Sequence, residues 1–329
     1  MMNKNGYCER LFCIILLLAL CMPFAIKADD ANQFEALRTK LASWVDNIKT
    51  DIPIKSSRYA KGWIVDQWES QKEDYLILSV QTIKEFNHVH IPHATNIPYK
   101  KILSGHYLDN LDSLMTFVIY SDNGYTGVST MVLMNLLDYK TYSLKFGMMD
   151  WNRQYVTGEV WKKSHNLPVS HDKAISGRVF KYPVINQTNT SLSELIRSRY
   201  TSNVLDKVTN IPISDVKNIL QHWESNKSNY QVVSVRRNKD YKVGHISNAI
   251  NIPMFELMDS EQLRKLDPDK ILLVYCDTGH LSELSTTLLN LLGYNAKSIV
   301  YGMMGWNDKH IIQKIAWDGV ANYPVVYNE

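Results

Sequence analysis

Apolar residues fall into two kinds of run along this chain. YLILSV (75–80), TFVIYS (116–121), YQVVSV (230–235) and ILLVYC (271–276) are short and unbroken. They lack the alternation of a half-exposed strand and predict strands buried on both faces. TYSLK and KSIVY predict one further strand each. Between the strands lie longer segments with helical character, GVSTMVLMNLLDY (127–139) and SELSTTLLNLLGY (282–294). The second places Leu288, Leu291 and Leu292 on one face and ends at Gly293, a residue suited to a helix stop. Residues 31–50 put Phe34, Leu37, Leu41, Trp44 and Ile48 at helical spacing, and 200–225 supplies a similar lead-in. Strand and helix in alternation predict an α/β fold with a mostly parallel sheet and right-handed crossovers. Ligands of such sheets bind beyond the carboxyl ends of the strands.

The pattern occurs twice. Trp68-Glu69-Ser70 matches Trp223-Glu224-Ser225, HIPHATNIP (90–98) matches HISNAINIP (245–253), and GMMDWN (147–152) matches GMMGWN (302–307). The strand runs pair at the same offset of 155, so each copy is one folding unit. Beyond the match, Tyr182-Pro183-Val184 pairs with Tyr323-Pro324-Val325 at an offset of 141, and Gly, Asn, Ser and Pro gather between about 156 and 200. The boundaries read from this are a leader at 1–28, a helical lead-in at 29–60, a first unit at 61–190 and a second at 191–329.

Composition adds little until the cysteines are placed. The chain has 329 residues, a formal charge of +3, and 45% hydrophobic and 21% charged residues. That suits two globular domains and carries no basic stripe for nucleic acid. Cys8, Cys13 and Cys21 lie in a leader: Lys4 and Arg10, then LFCIILLLAL, then a small residue, Ala28, at the cleavage position. The apolar run is shorter than the roughly 20 residues of a membrane span. Membrane association is therefore expected only if the leader is retained or Cys21, in Leu18-Ala19-Leu20-Cys21, is lipidated. An exported protein of the periplasm or cell envelope is expected. Cleavage removes Lys4, Arg10, Lys27 and Glu9, leaving a formal charge of +1 and one cysteine, Cys276.

Cys276 ends a predicted strand, and Asp277-Thr278-Gly279-His280 leads into the next helix. Amides of a tight turn opening a helix converge on anions, and the helix dipole adds positive charge. The thiol pKa is therefore expected to drop from about 8.5 into the range of roughly 4–7. The alternative is a small buried hydrophobe at a strand end.

These residues resemble the rhodanese family, and the whole chain resembles a tandem rhodanese-type sulfurtransferase (the thiosulfate/3-mercaptopyruvate sulfurtransferase kind, EC 2.8.1 class). The motifs are YQVVSV with Arg236, Gly244-His245-Ile246, Asn248-Ala249-Ile250-Asn251-Ile252-Pro253, the loop Cys276–His280, and Gly302-Met303-Met304-Gly305-Trp306. The resemblance implies two rhodanese-like domains, each a mostly parallel sheet flanked by helices. It implies that Cys276 takes a sulfane sulfur from a donor and passes it, as a persulfide, to a thiophilic acceptor. Asp277, Thr278, Gly279, His280 and Leu281 would form the binding loop, with Arg236 as a further pocket residue and Trp306 packing beneath the loop or lining the pocket. His245 would be a framework residue. Neither a metal nor an organic cofactor is implied. Partners would be a small sulfur donor and a thiol or cyanide acceptor, a protein thiol included, and the chain is expected to be a monomer.

Two departures stand out. Ser121 replaces the cysteine in the first copy, and Tyr125 and Thr126 replace His280 and Leu281, so that copy is expected to be inactive. In the second copy Ser234 stands where the family's acid would pair with Arg236, which puts that pairing in doubt. Asp277 directly after the cysteine is expected to repel thiosulfate, leaving mercaptopyruvate, persulfide and polysulfide donors open. A non-catalytic sulfur carrier or binding module is the alternative. Phosphatases and arsenate reductases with a similar loop require an arginine closing it, where this chain has Leu281 and Ser282. His88, His90 and His93 form no clear metal-ligand set.

Overall fold

The computed structural model describes residues 33–104, 107–152, 154, 160–173, 178–185, 190–311, 315–319 and 321–327. The leader expected at 1–28, with Cys8, Cys13 and Cys21, lies outside them. Two five-stranded sheets are present. The first runs β1(Ile54–Lys55), β5(Lys140–Leu144), β4(Thr116–Tyr120), β2(Tyr75–Ser79), β3(Thr95–Asn96), and every pairing in it is parallel. The second repeats that order as β6(Asn210–Ile211), β10(Asn295–Ile299), β9(Ile271–Tyr275), β7(Tyr230–Ser234), β8(Ala249–Asn251), again all parallel. The chain is α/β, with two parallel sheets flanked by helices.

Alternate side chains of the strands serve two different cores. Phe117 and Ile119 in one unit, with Leu272 and Val274 in the other, point into a single central cluster. Their neighbours Val118 and Tyr120, or Leu273 and Tyr275, point into separate outer clusters. Apolar side chains are needed on both faces, which is why the strands read as unbroken runs. The central cluster lies between two crossover helices, α2(Tyr125–Leu136) and α5(His280–Leu291). Each has its own sheet below and the opposite unit above. Both are buried nearly all round, as helices lacking a polar face must be. A chain of hydroxyls crosses this seam: Thr287 Oγ1 donates to Ser129 Oγ at 3.2 Å, and Ser129 Oγ bonds Tyr200 OH at 3.0 Å.

The lead-in is a helix, α1, over residues 33–47. Phe34, Leu37, Leu41, Trp44 and Ile48 are all buried in the central cluster, as their spacing predicts. Each contributes about 1.5–3 kcal/mol by leaving water. The helix braces both units. Arg38 Nη1 donates to Met258 O at 2.9 Å in the second, and Lys40 Nζ pairs with Asp138 at 2.8 Å in the first.

The segments after each sheet cross over. Residues that follow the first sheet lie on the second: Leu167 N donates to Trp306 O (2.9 Å), Trp306 Nε1 donates to Pro168 O (2.8 Å), and Ser170 bridges His245. Residues that follow the second sheet lie on the first: Tyr323 N donates to Trp151 O (3.0 Å), Trp151 Nε1 donates to Pro324 O (2.8 Å), and Val326 bridges His90. The structural counterpart of Pro324 is thus Pro168. The offset of 141 that paired it with Pro183 is a coincidence of composition, since Tyr182 instead stacks on Phe34 at 4.5 Å. Part of the polar stretch after 156 is therefore a strap holding the opposite unit, while 174–177 and 186–189 lie outside the described residues. Among the described residues, no helix is long and apolar enough to cross a membrane.

Candidate active site

The loop between β9 and α5 is built by two glycines. Gly279 caps α5 with φ +91°, a left-handed conformation that lets the chain turn back over Cys276. Its amide donates to Cys276 Sγ at 3.1 Å. Gly302 opens the short helix α6(Gly302–Trp306) at φ +49°, and a Cβ there would overlap Cys276 O. That closeness lets Met303 N donate to Cys276 O at 3.0 Å and Met304 N to Asp277 O at 2.7 Å. The GMM motif therefore anchors the loop from behind. The first unit repeats the device: α3(Gly147–Trp151) sends Met148 N to Ser121 O (2.9 Å) and Met149 N to Asp122 O (2.8 Å). Ser121 Oγ accepts from Gly124 N at 3.1 Å and Gly127 N at 3.3 Å. The fold of the loop thus survives replacement of the thiol by a hydroxyl.

Cys276 is buried and reduced. Burial, and next the Asp277 carboxylate, push its thiol up, while hydrogen bonds from Ser282 and Thr278 pull the other way. This overturns the depressed pKa expected from the turn alone. A thiol deep enough to meet the amides has also lost its water, and desolvation is the larger effect.

Arg236 is almost fully buried and every arm of its guanidinium is engaged. Nε donates to Asp277 Oδ1 (2.8 Å), Nη1 to Gly244 O (2.7 Å) and Nη2 to His310 O (2.6 Å). The acid absent at Ser234 is supplied by Asp277. Asp277 is consequently compensated and does not stand as a bare negative charge behind the cysteine, as its place in the sequence suggested. Burial pushes its carboxyl up and Arg236 opposes the rise. In the first unit Gln81 occupies the matching position and donates to Asp122 at 2.7 Å. There burial and the nearby Glu85 carboxylate push Asp122 up to about 6.

His280 points away from the thiol. Its Nε2 meets Phe146 N of the first unit at 3.0 Å and Asn123 O at 3.2 Å, and its Nδ1 lies 3.3 Å from Thr278 Oγ1. Burial, with help from the Lys145 charge, pushes the ring down to about 3, so it is neutral at every physiological pH. Tyr125 mirrors it: its hydroxyl accepts from Tyr301 N at 2.7 Å and donates to Thr278 O at 3.4 Å. The two residues that differ between the copies thus form a reciprocal clasp between the loops, a role their local sequence does not signal. Side chains of Thr278 and His280 are occupied with each other and with the interface. Leu281 packs at the edge of the central core, and Trp306 is buried in the outer cluster beneath the sheet. Trp306 is therefore a packing residue. His245 is likewise structural, stacked on Tyr241 at 3.8 Å.

One contributor escaped the sequence. Lys145, at the end of β5 in the first unit, is largely buried, donates to Ile315 O at 2.5 Å and lies 4.9 Å from the centre of the Phe146 ring. Burial pulls its ammonium down, and an ionised Cys276 would oppose that fall most, ahead of Asp150 and Asp277. A cavity of about 500 Å³ opens at the Ser121 loop, lined by Gln81, Glu85, Lys100, Lys101, Asp122 and Thr126 among others. Among the described residues, no group of three or more His, Cys, Asp and Glu is placed to hold a metal ion.

The family profile described as Rhodanese-like domain matches residues 218–309. Over 133 residues it is 26% identical to the putative mitochondrial thiosulfate sulfurtransferase of Schizosaccharomyces pombe, covering 36% of this chain and 93% of that protein. A 77-residue stretch is 32% identical to an HTH-type transcriptional regulator of Mycobacterium tuberculosis, covering 23% of this chain and 33% of that protein. A solved rhodanese-like domain protein from Staphylococcus aureus aligns at 27% identity with a TM-score of 0.27, over 30% of this chain and 91% of its own. The matched segment contains the whole Cys276 loop and the α6 anchor beneath it up to Trp306.

Proposed function

We propose that the chain is a sulfurtransferase in which Cys276 carries a sulfane sulfur as a persulfide. The observation that supports this most is the convergence of loop amides on Cys276 Sγ, led by Gly279 N at 3.1 Å, at the mouth of a parallel sheet. In the first half-reaction the sulfur of Cys276 attacks the outer sulfur of the donor. The new S–S bond forms as the donor's S–S or C–S bond breaks, and its electron pair leaves with sulfite, thiolate or the enolate of pyruvate. The thiol is neutral at rest, so its proton departs with that leaving group. The amides that faced the thiol then face the terminal persulfide anion, a stabilisation by preorganised dipoles. In the second half-reaction a thiolate or cyanide takes the terminal sulfur and Cys276 is restored. The basic start, apolar run and Ala28 support export of the protein to the cell envelope.

The chain should gain the mass of one sulfur on Cys276 when incubated with thiosulfate, 3-mercaptopyruvate or polysulfide, and lose it to cyanide. Intact-mass spectrometry with alkylated protein as control measures this. No gain with any of the three donors would remove the sulfurtransferase assignment.

Arg236 sets the charge of the loop in this scheme. Arg236→Gln recreates the Gln81–Asp122 pair, so Asp277 should shift toward the value of about 6 seen at Asp122. Above that pH the loop gains an uncompensated carboxylate, and transfer from dianionic thiosulfate should decline as pH rises through it. In the wild-type chain Arg236 compensates that carboxylate, so no such decline is expected. Superimposable pH profiles for the two proteins would contradict this role.

A further inference from the structure

Each short helix of the GMM motif, together with the strap that crosses it, encloses a cavity, and the two cavities differ. The one against α3 measures about 370 Å³ and is lined by Ser57, Arg58, Lys145, Asp150 and Asp318 among others. Asp150 Oδ2 accepts from Ser57 Oγ at 2.5 Å and from Ser57 N at 3.3 Å, so a polar pair fills part of the space. Cations and acids are both present, and the lining balances its own charge.

The cavity against α6 is about 740 Å³, twice as large. Gly305 stands where the first unit has Asp150, and Ile213 replaces Ser57, so the polar plug is absent. Trp161, Tyr301 and Ile213 supply apolar and aromatic wall. The strap contributes Lys162 and Lys163 where the opposite strap has Asp318 and Gly319. Both lysines are exposed, and neither pairs with a carboxylate among the described residues.

We propose that the α6 cavity binds an amphipathic organic monoanion, a carboxylate or sulfonate on an aromatic or short acyl body. The aromatic wall takes the body and the two lysines take the anion. The volume falls within the range of about 300–1,000 Å³ typical of small-molecule sites. Tyr301 and Gly305 line the cavity, and α6 holds Cys276 O and Asp277 O through Met303 N and Met304 N. The occupant therefore lies against the helix that anchors the cysteine loop. This site does not depend on the sulfur chemistry proposed above.

The test is a fluorescence titration of the full chain with 8-anilinonaphthalene-1-sulfonate. Saturable binding at one site per chain is expected. Lys162→Glu/Lys163→Glu should weaken it at least about tenfold, the factor carried by loss of a charge-assisted contact. Gly305→Asp/Ile213→Ser, which installs the first unit's plug, should weaken it comparably. Lys207→Glu/Lys217→Glu changes the net charge equally on exposed positions away from the cavity and should leave it unaltered. Thermal unfolding of each variant checks that the dye reports a folded chain. The proposal is overturned by absence of saturable binding, by an unchanged affinity in the Lys162/Lys163 variant, or by equal loss in the Lys207/Lys217 control.

Discussion

Cys276→Ser is expected to abolish sulfur transfer while leaving the fold nearly untouched. The first unit already contains that substitution. Ser121 occupies the matching place, accepts from two loop amides at 3.1 and 3.3 Å, and leaves the backbone of its loop anchored on Met148 N and Met149 N. A serine at 276 should find the same donors, so unfolding should change by no more than about 1 kcal/mol, the scale of one altered hydrogen bond. Chemistry is another matter. A hydroxyl without a base is a poor nucleophile, and an oxygen cannot hold and release a sulfane sulfur as a thiolate does. Turnover with thiosulfate and cyanide should fall to the rate without protein. Residual turnover well above that rate would place the reacting atom elsewhere in the chain. The reverse change, Ser121→Cys, is not expected to create a second site. Gln81 replaces Arg236 there, and Tyr125 is committed to the clasp with Tyr301 N.

Gly302→Ala should cost more stability than any other single methyl added near the site. The residue lies at φ +49°, where a side chain costs about 1–2 kcal/mol, and its Cβ would overlap the carbonyl of Cys276. The carbonyl cannot retreat without breaking its bond from Met303 N, so the strain has no cheap outlet. A loss on the order of 3–4 kcal/mol is expected, read as a lower midpoint in urea at unchanged slope. Transfer by the protein that remains folded should also drop, because the loop rests on α6. Gly147→Ala meets the Ser121 carbonyl in the same way and should lose similar stability with a smaller effect on transfer. Gly62 is the control: its φ is −56° and nothing lies within 4 Å of an added Cβ, so Gly62→Ala should be neutral or mildly stabilising. If Gly302→Ala unfolds at the same urea concentration as Gly62→Ala, the proposed anchoring of the loop fails.

Much of the architecture was legible from local pattern. The strand runs, the crossover helices and α1 each carry their signal within a dozen residues, and the duplication doubled it. The position of Cys276, after a strand and before a helix, followed from the same signals. The pairing of Arg236 with Asp277 was not legible, because 41 residues separate them and the loop partner replaces the expected one. The clasp of Tyr125 and His280 also lay hidden. Two residues that look like divergence within each loop become complementary only when the loops face each other. The exchange of the straps was not legible, because polar, Pro-containing segments look alike whether they span solvent or lie on a partner.

The sequence by itself determined the repeated α/β units, the single cysteine beyond residue 21, and the serine opposite it in the twin. These depend on residue order and short-range periodicity, which the chain carries wherever it folds. Only the tertiary structure decided how that thiol is tuned. Two units packed loop to loop remove its water, which raises its pKa against the pull of the amides, and the Arg236–Asp277 pair is set beside it. Desolvation and Coulomb energy depend on what surrounds a group in space, and those neighbours come from both halves of the chain.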